Sequence, residues 1–178
     1  MKCFLDMDGV LVDFVGGACK LHNMPYPYPA LNGIWDFVEA LNLNSAKFWA
    51  PMGREFWANL KPTPEMPTII QLLENKFGKT NVCLLTSPCQ TDGCIDGKMD
   101  WIKAYIPDYK RRVMFSTAKE FLAHPKTVLV DDAEHNTAPF NEHGGQGILL
   151  ARPWNRRFYD KDKSLMLLQD DLNSIKIN

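Results

Sequence analysis

The chain has 178 residues, a formal net charge of −1, and 46% hydrophobic, 23% charged and 11% aromatic residues. That suits one domain, or one domain carrying an insertion, with enough apolar residues for a sizeable core, and it is not the composition of a disordered chain. With 20 basic and 21 acidic residues there is no net field to attract nucleic acid or an anionic membrane, and no apolar run approaches the ~20 residues of a bilayer span.

The first apolar run, Lys2–Leu5, meets Asp6 too early for a signal peptide. Further runs lie at Val82–Thr86, Val113–Phe115, Thr127–Val130 and Gly147–Leu150. Short, near-continuous apolar runs suit strands covered on both faces, as in a parallel sheet. Between Phe14 and Lys61 there is no strand signal, but Tyr26, Tyr28, Trp35, Phe37, Phe48, Trp49, Phe56 and Trp57 crowd there. Pro25, Pro27 and Pro29 alternate with Tyr26 and Tyr28, which predicts an extended loop; Ser45–Leu60 has a helical pattern broken at Pro51 and Gly53. We read 15–61 as a small, mostly helical cap inserted over the sheet's active edge, with most of its aromatics forming a core of its own. Helices follow at Thr68–Phe77, ending at Gly78, and at Lys98–Ile106, ending before Pro107. The alternation predicts a Rossmann-like α/β fold: an open, parallel, five-stranded sheet flanked by helices, built from 1–14 and 62–178. Gly144-Gly145-Gln146-Gly147 precedes a strand and is no dinucleotide fingerprint. After Pro153 a mixed-charge stretch (Arg156, Arg157, Asp160, Lys161, Asp162, Lys163) reads as solvated surface, and Leu165, Leu167, Leu168 and Leu172 predict a final packed helix.

Ligands of such sheets bind beyond the carboxyl ends of the strands, where Asp6, Thr86 and Asp131 would gather. In Asp6-Met7-Asp8-Gly9-Val10 two carboxylates two residues apart project the same way, and Gly9 lets the backbone turn sharply. One can act as nucleophile and the other transfer a proton. Their repulsion implies a hard divalent cation, most simply Mg²⁺. A solvent-exposed acidic turn is the alternative for this motif by itself. Thr86-Ser87 offers hydroxyls and N–H groups to a phosphate, and Asp131-Asp132 offers metal ligands. Thr117-Ala118-Lys119-Glu120 reads as a capping box, with Thr117 as N-cap and Lys119 in the first helical turn, where an anion is favoured. An ordinary solvated lysine is the alternative; its place between the Thr and Asp-Asp strands favours function. His22, His124, His135 and His143 have no metal-ligand spacing and read as surface or capping residues, and the five cysteines, with no Cys-x-x-Cys pair, favour a reduced, cytoplasmic protein.

Asp-x-Asp-Gly-Val, Leu-Leu-Thr-Ser, a helix-start Lys and Val-Asp-Asp, in that order, resemble the haloacid-dehalogenase-like phosphohydrolases. Phe4–Phe14, Leu85–Pro88, Lys98–Ile102 and Arg152–Asn155 are similar to the 5′(3′)-deoxyribonucleotidases. The resemblance implies that Asp6 attacks phosphorus, that Asp8 is general acid and then base, and that Asp6, the backbone carbonyl of Asp8 and Asp131 bind Mg²⁺, with Asp132 in or near the next layer. It places Thr86, Ser87, the Gly9 N–H and Lys119 on the phosphoryl oxygens. In that family the inserted segment stacks a base between aromatics, for which Tyr28, Trp35, Phe37, Trp49 and Trp57 are candidates. Phe14 is a candidate for the pocket wall or for packing, and Asn155 for facing the site. The family often has Arg where Thr117 stands, so Lys98 or Arg152 is a candidate to compensate. The expected substrate is a nucleoside monophosphate, preferentially a deoxyribonucleotide, with no nucleic-acid or membrane partner and, as is common in the family, a homodimer. The alternatives are the same chemistry on a sugar phosphate and a non-catalytic phosphate-binding member.

Overall fold

The computed structural model describes residues 1–176; the last two residues of the expected 62–178 core lie outside it. Five parallel strands form one sheet in the order β3-β2-β1-β4-β5: β1 Lys2–Leu5, β2 Val82–Thr86, β3 Val113–Phe115, β4 Thr127–Asp131 and β5 Gln146–Leu149. Each lies within one residue of its apolar run. Along β1, Cys3 and Leu5 pack into one cluster with Leu84, Val128 and Val130, while Phe4 packs on the other face with Leu85, Leu129 and Phe140. Both faces are covered, so the two-residue alternation of a half-buried strand is missing from the sequence.

Helices α1 Phe14–Leu21, α2 Phe37–Ala40, α3 Ser45–Trp49 and α4 Arg54–Ala58 lie between β1 and β2, and α5 is Met66–Phe77. The break between α3 and α4 falls at Pro51 and Gly53, as expected. Asp13, Asp36 and Asn44 cap the first three by accepting from Gly16, Glu39 and Lys47 N–H groups at 2.9–3.0 Å. α5 buries Ile69, Leu73 and Phe77 at four-residue spacing and stops at Gly78, whose φ of 83° suits glycine. Helix α6, Cys94–Tyr105, begins four residues before the predicted start; α7 is Glu134–Glu142 and α8 Ser164–Ser174. The predicted final helix packs through Leu168 and Leu172.

Two expectations change. Phe37, Phe48 and Trp57 do not form a separate core; they belong to one continuous cluster with Leu5, Trp101 and Ile102. The reason lies where α4 crosses α6: a Cβ on Gly97 would collide with the Arg54 backbone and with Trp57, so the glycine lets the two helices touch. Trp101 Nε1 donates to Leu60 O at 2.9 Å across the same junction. The charged tail is also not wholly solvated. Arg157 is only partly exposed, donating to Leu149 O at 2.8 Å and to Asp171 at 2.7 Å, which ties the end of β5 to α8. Among the described residues no helix is long and apolar enough to cross a membrane.

Candidate active site

The ends of β1 and β4 place Asp6, Asp131 and Asp132 side by side, all buried, with one oxygen of each within 4.8 Å of the others. Lys119, also buried, donates to Asp6 Oδ1 at 2.5 Å and to Asp131 Oδ2 at 2.6 Å. Burial disfavours the Lys119 ammonium, but Asp6 and Asp131 outweigh it and hold its pKa above the usual lysine value. Burial and then Asp6 push Asp131 up to about 6; burial, Asp131 and Asp6 push Asp132 well above the usual carboxylate range. One ammonium leaves three buried carboxylates under-neutralised, which is costly. An all-oxygen set of this kind fits a hard divalent cation such as Mg²⁺.

The lysine reaches the cluster by a different local route from the one predicted. Residues Lys119–Leu122 form a single 3-10 turn with Ala118 at its N-cap position and no side-chain cap. Thr117 does not cap it; instead Ser116 Oγ accepts from the Ala118 N–H at 3.1 Å. The turn is too short for a capping box to close, and Lys119 acts through its ammonium rather than through a helix end.

The Asp8 carboxylate lies outside the three-carboxylate cluster. Its Oδ2 accepts from Lys98 Nζ at 2.5 Å, while its Oδ1 is buried without a hydrogen-bond partner. Burial pushes the Asp8 carboxyl up, Lys98 opposes this, and Asp6 adds to it. Lys98 also donates to Thr86 Oγ1 at 2.7 Å and to the Ser87 carbonyl at 2.8 Å. Thr86 is therefore buried behind the cavity, whereas Ser87 lines it. The Gly9 N–H is not free for a phosphoryl oxygen, contrary to the expectation from the sequence: it donates to Val12 O at 2.8 Å and closes the turn after β1. The glycine is needed sterically: its φ is 74°, and a Cβ would run into the Asp132 carboxylate and the Trp154 ring.

Arg152-Pro153-Trp154-Asn155 braces this loop from behind. Arg152 Nε donates to Gly9 O at 2.6 Å and its guanidinium pairs with Glu65 at 3.0 Å, so it is no substitute phosphate ligand. Trp154 Nε1 donates to Asp132 Oδ2 at 2.6 Å, and Asn155 Nδ2 to Asp132 O at 2.8 Å. Asn155 thus holds the β4 loop and does not line the cavity.

Above the carboxylates is a cavity of ≈ 580 Å³ lined by Asp6, Asp8, Ser87, Lys119, Asp131 and Asp132 below, and by Phe14, Tyr28, Trp35, Phe37, Phe48, Trp49 and Trp57 above. Phe14 lies nearly parallel to two indoles, Trp49 (5.7 Å, 14°) and Trp57 (5.6 Å, 10°), so its ring is packed by protein. Trp35 is 45% exposed and meets His135 edge-on at 4.8 Å. His135 is thus a cavity residue and not merely a surface one; burial and then Lys119 lower its pKa. A signal for it existed: it lies at the start of the helix that directly follows Asp131-Asp132. Lys98 carried a signal too, as the one charge on a helix face shared with Cys94, Trp101 and Ile102.

A parallel sheet with acids at the ends of two neighbouring strands, a hydroxyl pair at a third and a lysine before the last acid defines a haloacid-dehalogenase-like protein. A haloacid-dehalogenase-like hydrolase of Streptococcus pneumoniae superposes with a TM-score of 0.50 at 13% identity, over 92% of this chain and 90% of that one, a likeness of fold. Within that class the chain belongs to the family described as 5′ nucleotidase, deoxy (Pyrimidine), cytosolic type C protein, whose model matches residues 1–166. The mitochondrial 5′(3′)-deoxyribonucleotidase of Mus musculus is 25% identical over 146 residues, 74% of this chain but 64% of that protein's length.

Proposed function

We propose that this chain is a Mg²⁺-dependent phosphomonoesterase acting on nucleoside monophosphates, preferentially deoxyribonucleotides, with 15–61 serving as the cap that receives the base. The observation that carries this reading is one cavity with the Asp6 and Asp8 carboxyls and the Asp6–Asp131–Asp132 cluster on its floor and the partly exposed Trp35 indole on its wall. Asp6 attacks phosphorus; the bond to the leaving oxygen breaks with its electron pair on that oxygen, and Asp8 supplies the proton that makes it a hydroxyl. Water then attacks the aspartyl-phosphate, giving its proton to Asp8. The bond to Asp6 breaks, its carboxylate is restored, and inorganic phosphate leaves. Lys119 and Ser87 hold phosphoryl oxygens, with Thr86 fixing Lys98 behind them. Asp6, Asp131 and the Asp8 carbonyl would hold Mg²⁺ beside Asp132. When bound, the ion neutralises phosphoryl charge and the repulsion among the carboxylates.

Trp35, exposed at the cavity wall, supplies a ring on which a base can stack. The same wall argues for a nucleotide over a sugar phosphate, and the complete set of catalytic groups argues against a binding-only protein. The cytoplasmic setting rests on the five cysteines being free thiols, and a homodimer rests on family resemblance alone. The test is phosphate release from a panel of deoxy- and ribonucleoside monophosphates and sugar phosphates, with Mg²⁺ and with EDTA. Selective, Mg²⁺-dependent turnover of deoxynucleotides is expected. A preference for sugar phosphates would remove the base-stacking role, and no turnover of any substrate would overturn the assignment.

A further inference from the structure

We infer that His135 is a specificity-determining residue: its imidazole hydrogen-bonds the one free hydroxyl on the deoxyribose of a nucleoside monophosphate. The inference rests on the proposed nucleotide substrate and says which residue meets its sugar.

The four histidines divide three to one. His22 Nε2 meets Phe48 O at 2.9 Å, His143 Nδ1 meets Pro139 O at 2.9 Å, and His124 Nδ1 accepts from the Lys126 N–H at 3.1 Å. Each of those rings is tied to backbone. His135 has no such tie among the described residues, and of the four it is the one that lines the cavity. Its place in the fold decides what it can meet there. It stands in the first turn of α7, and the next residue, Asn136, donates from Nδ2 to Asp131 Oδ2 at 3.0 Å on the cavity floor. Its ring lies 4.8 Å from that of Trp35 on the wall, centre to centre. In a nucleotide the sugar is the piece that joins phosphate to base. With the phosphate over Asp6 and Lys119 and the base on Trp35, a side chain that borders both borders the sugar. The edge-on contact with Trp35 explains a ring at this position but not its nitrogens, since a phenyl edge would pack as well. Burial and then Lys119 favour the uncharged imidazole, in which one nitrogen donates and the other accepts. A hydroxyl also donates and accepts, so it suits such a ring in either tautomer. The deoxyribose of a nucleoside monophosphate has a single hydroxyl not bound to phosphorus, which leaves one group for the imidazole to read.

The experiment compares thymidine 5′-monophosphate with 2′,3′-dideoxythymidine 5′-monophosphate, which lacks that hydroxyl, in wild type, His135→Phe and His135→Ala. The ratio of kcat/KM for the two substrates measures the preference for the hydroxyl, whatever each variant loses overall. Wild type is expected to prefer thymidine 5′-monophosphate about tenfold, on the order of one hydrogen bond. His135→Phe keeps a ring against Trp35 and should lose the preference, with the two substrates turned over to within about twofold of each other. His135→Ala should lose it too. A variant that loses activity equally on both substrates and keeps the preference would show that His135 only braces Trp35, and would overturn the inference. Turnover of both substrates by wild type without a preference would overturn it as well. No turnover of either nucleotide would instead overturn the substrate reading on which the inference rests. Thermal melts monitor folding: if one variant fails to fold, the other decides. If neither folds, His135 is a structural residue and the inference is wrong.

Discussion

The floor of the cavity is assembled from residues far apart in the chain, with Lys119 reaching across 113 positions to Asp6, whereas most of its wall comes from the single stretch between Phe14 and Trp57. On the floor, each group is fixed by strand register and by charged hydrogen bonds of 2.5–2.6 Å. On the wall, position comes from ring packing, as in the Trp49–Phe14–Trp57 stack. Charged hydrogen bonds depend steeply on geometry, while dispersion is spread over many atoms. The floor should therefore fail abruptly when altered, and the wall should fail by degrees.

The largest expected effect is on the floor. Asp6→Asn should lower phosphate release by a thousandfold or more, on the order of the losses seen when a nucleophile is removed elsewhere. Activity retained in that variant would refute attack by Asp6. Lys119→Met leaves three buried carboxylates without their ammonium and should cost about 3–5 kcal/mol of stability in urea denaturation. Added Mg²⁺ should raise the melting temperature of this variant more than that of wild type; an equal rise would show that the carboxylates are not the ion's site.

The wall should respond more gently. Phe14→Ala should destabilise the chain by about 3 kcal/mol, since it removes the ring between two indoles, while the melting transition stays cooperative. A large activity loss without destabilisation would instead make Phe14 a substrate contact. Smaller still, Trp35→Ala should raise KM for thymidine 5′-monophosphate about tenfold, the worth of one stacked base, and leave KM for ribose 5-phosphate unchanged. Equal changes for both substrates would show that the indole does not stack on a base.

The same contrast explains what the sequence disclosed. Strand ends are legible because apolar runs stop at Asp6, Thr86 and Asp131, and the stopping point is also the position in space. The Thr117–Glu120 pattern singles out the lysine that meets Asp6 and Asp131, but through the wrong local structure, because Ser116 supplies the hydroxyl contact instead. Arg152 could not be assigned from its charge, since its partners are backbone carbonyls, Glu65 and the Ser164 hydroxyl, brought near only by the fold. Among the aromatics nothing in the chain distinguishes Phe14, packed beside two indoles, from Trp35, left 45% exposed. That depends on how the four short helices α1–α4 settle on one another and on α6. The donation of the Gly9 N–H to Val12 is likewise a property of the closed turn and not of the motif.

The glycine contact between α4 and α6 bears on how firmly the segment is seated. A Cβ on Gly97 would run into Arg54 O and meet Trp57 Cβ at 2.7 Å, so any larger residue there would push the two helices apart. Trp57 stands over Lys98, and Lys98 holds Asp8 and Thr86. A change at a glycine with no place in the cavity would therefore be felt at the cavity floor.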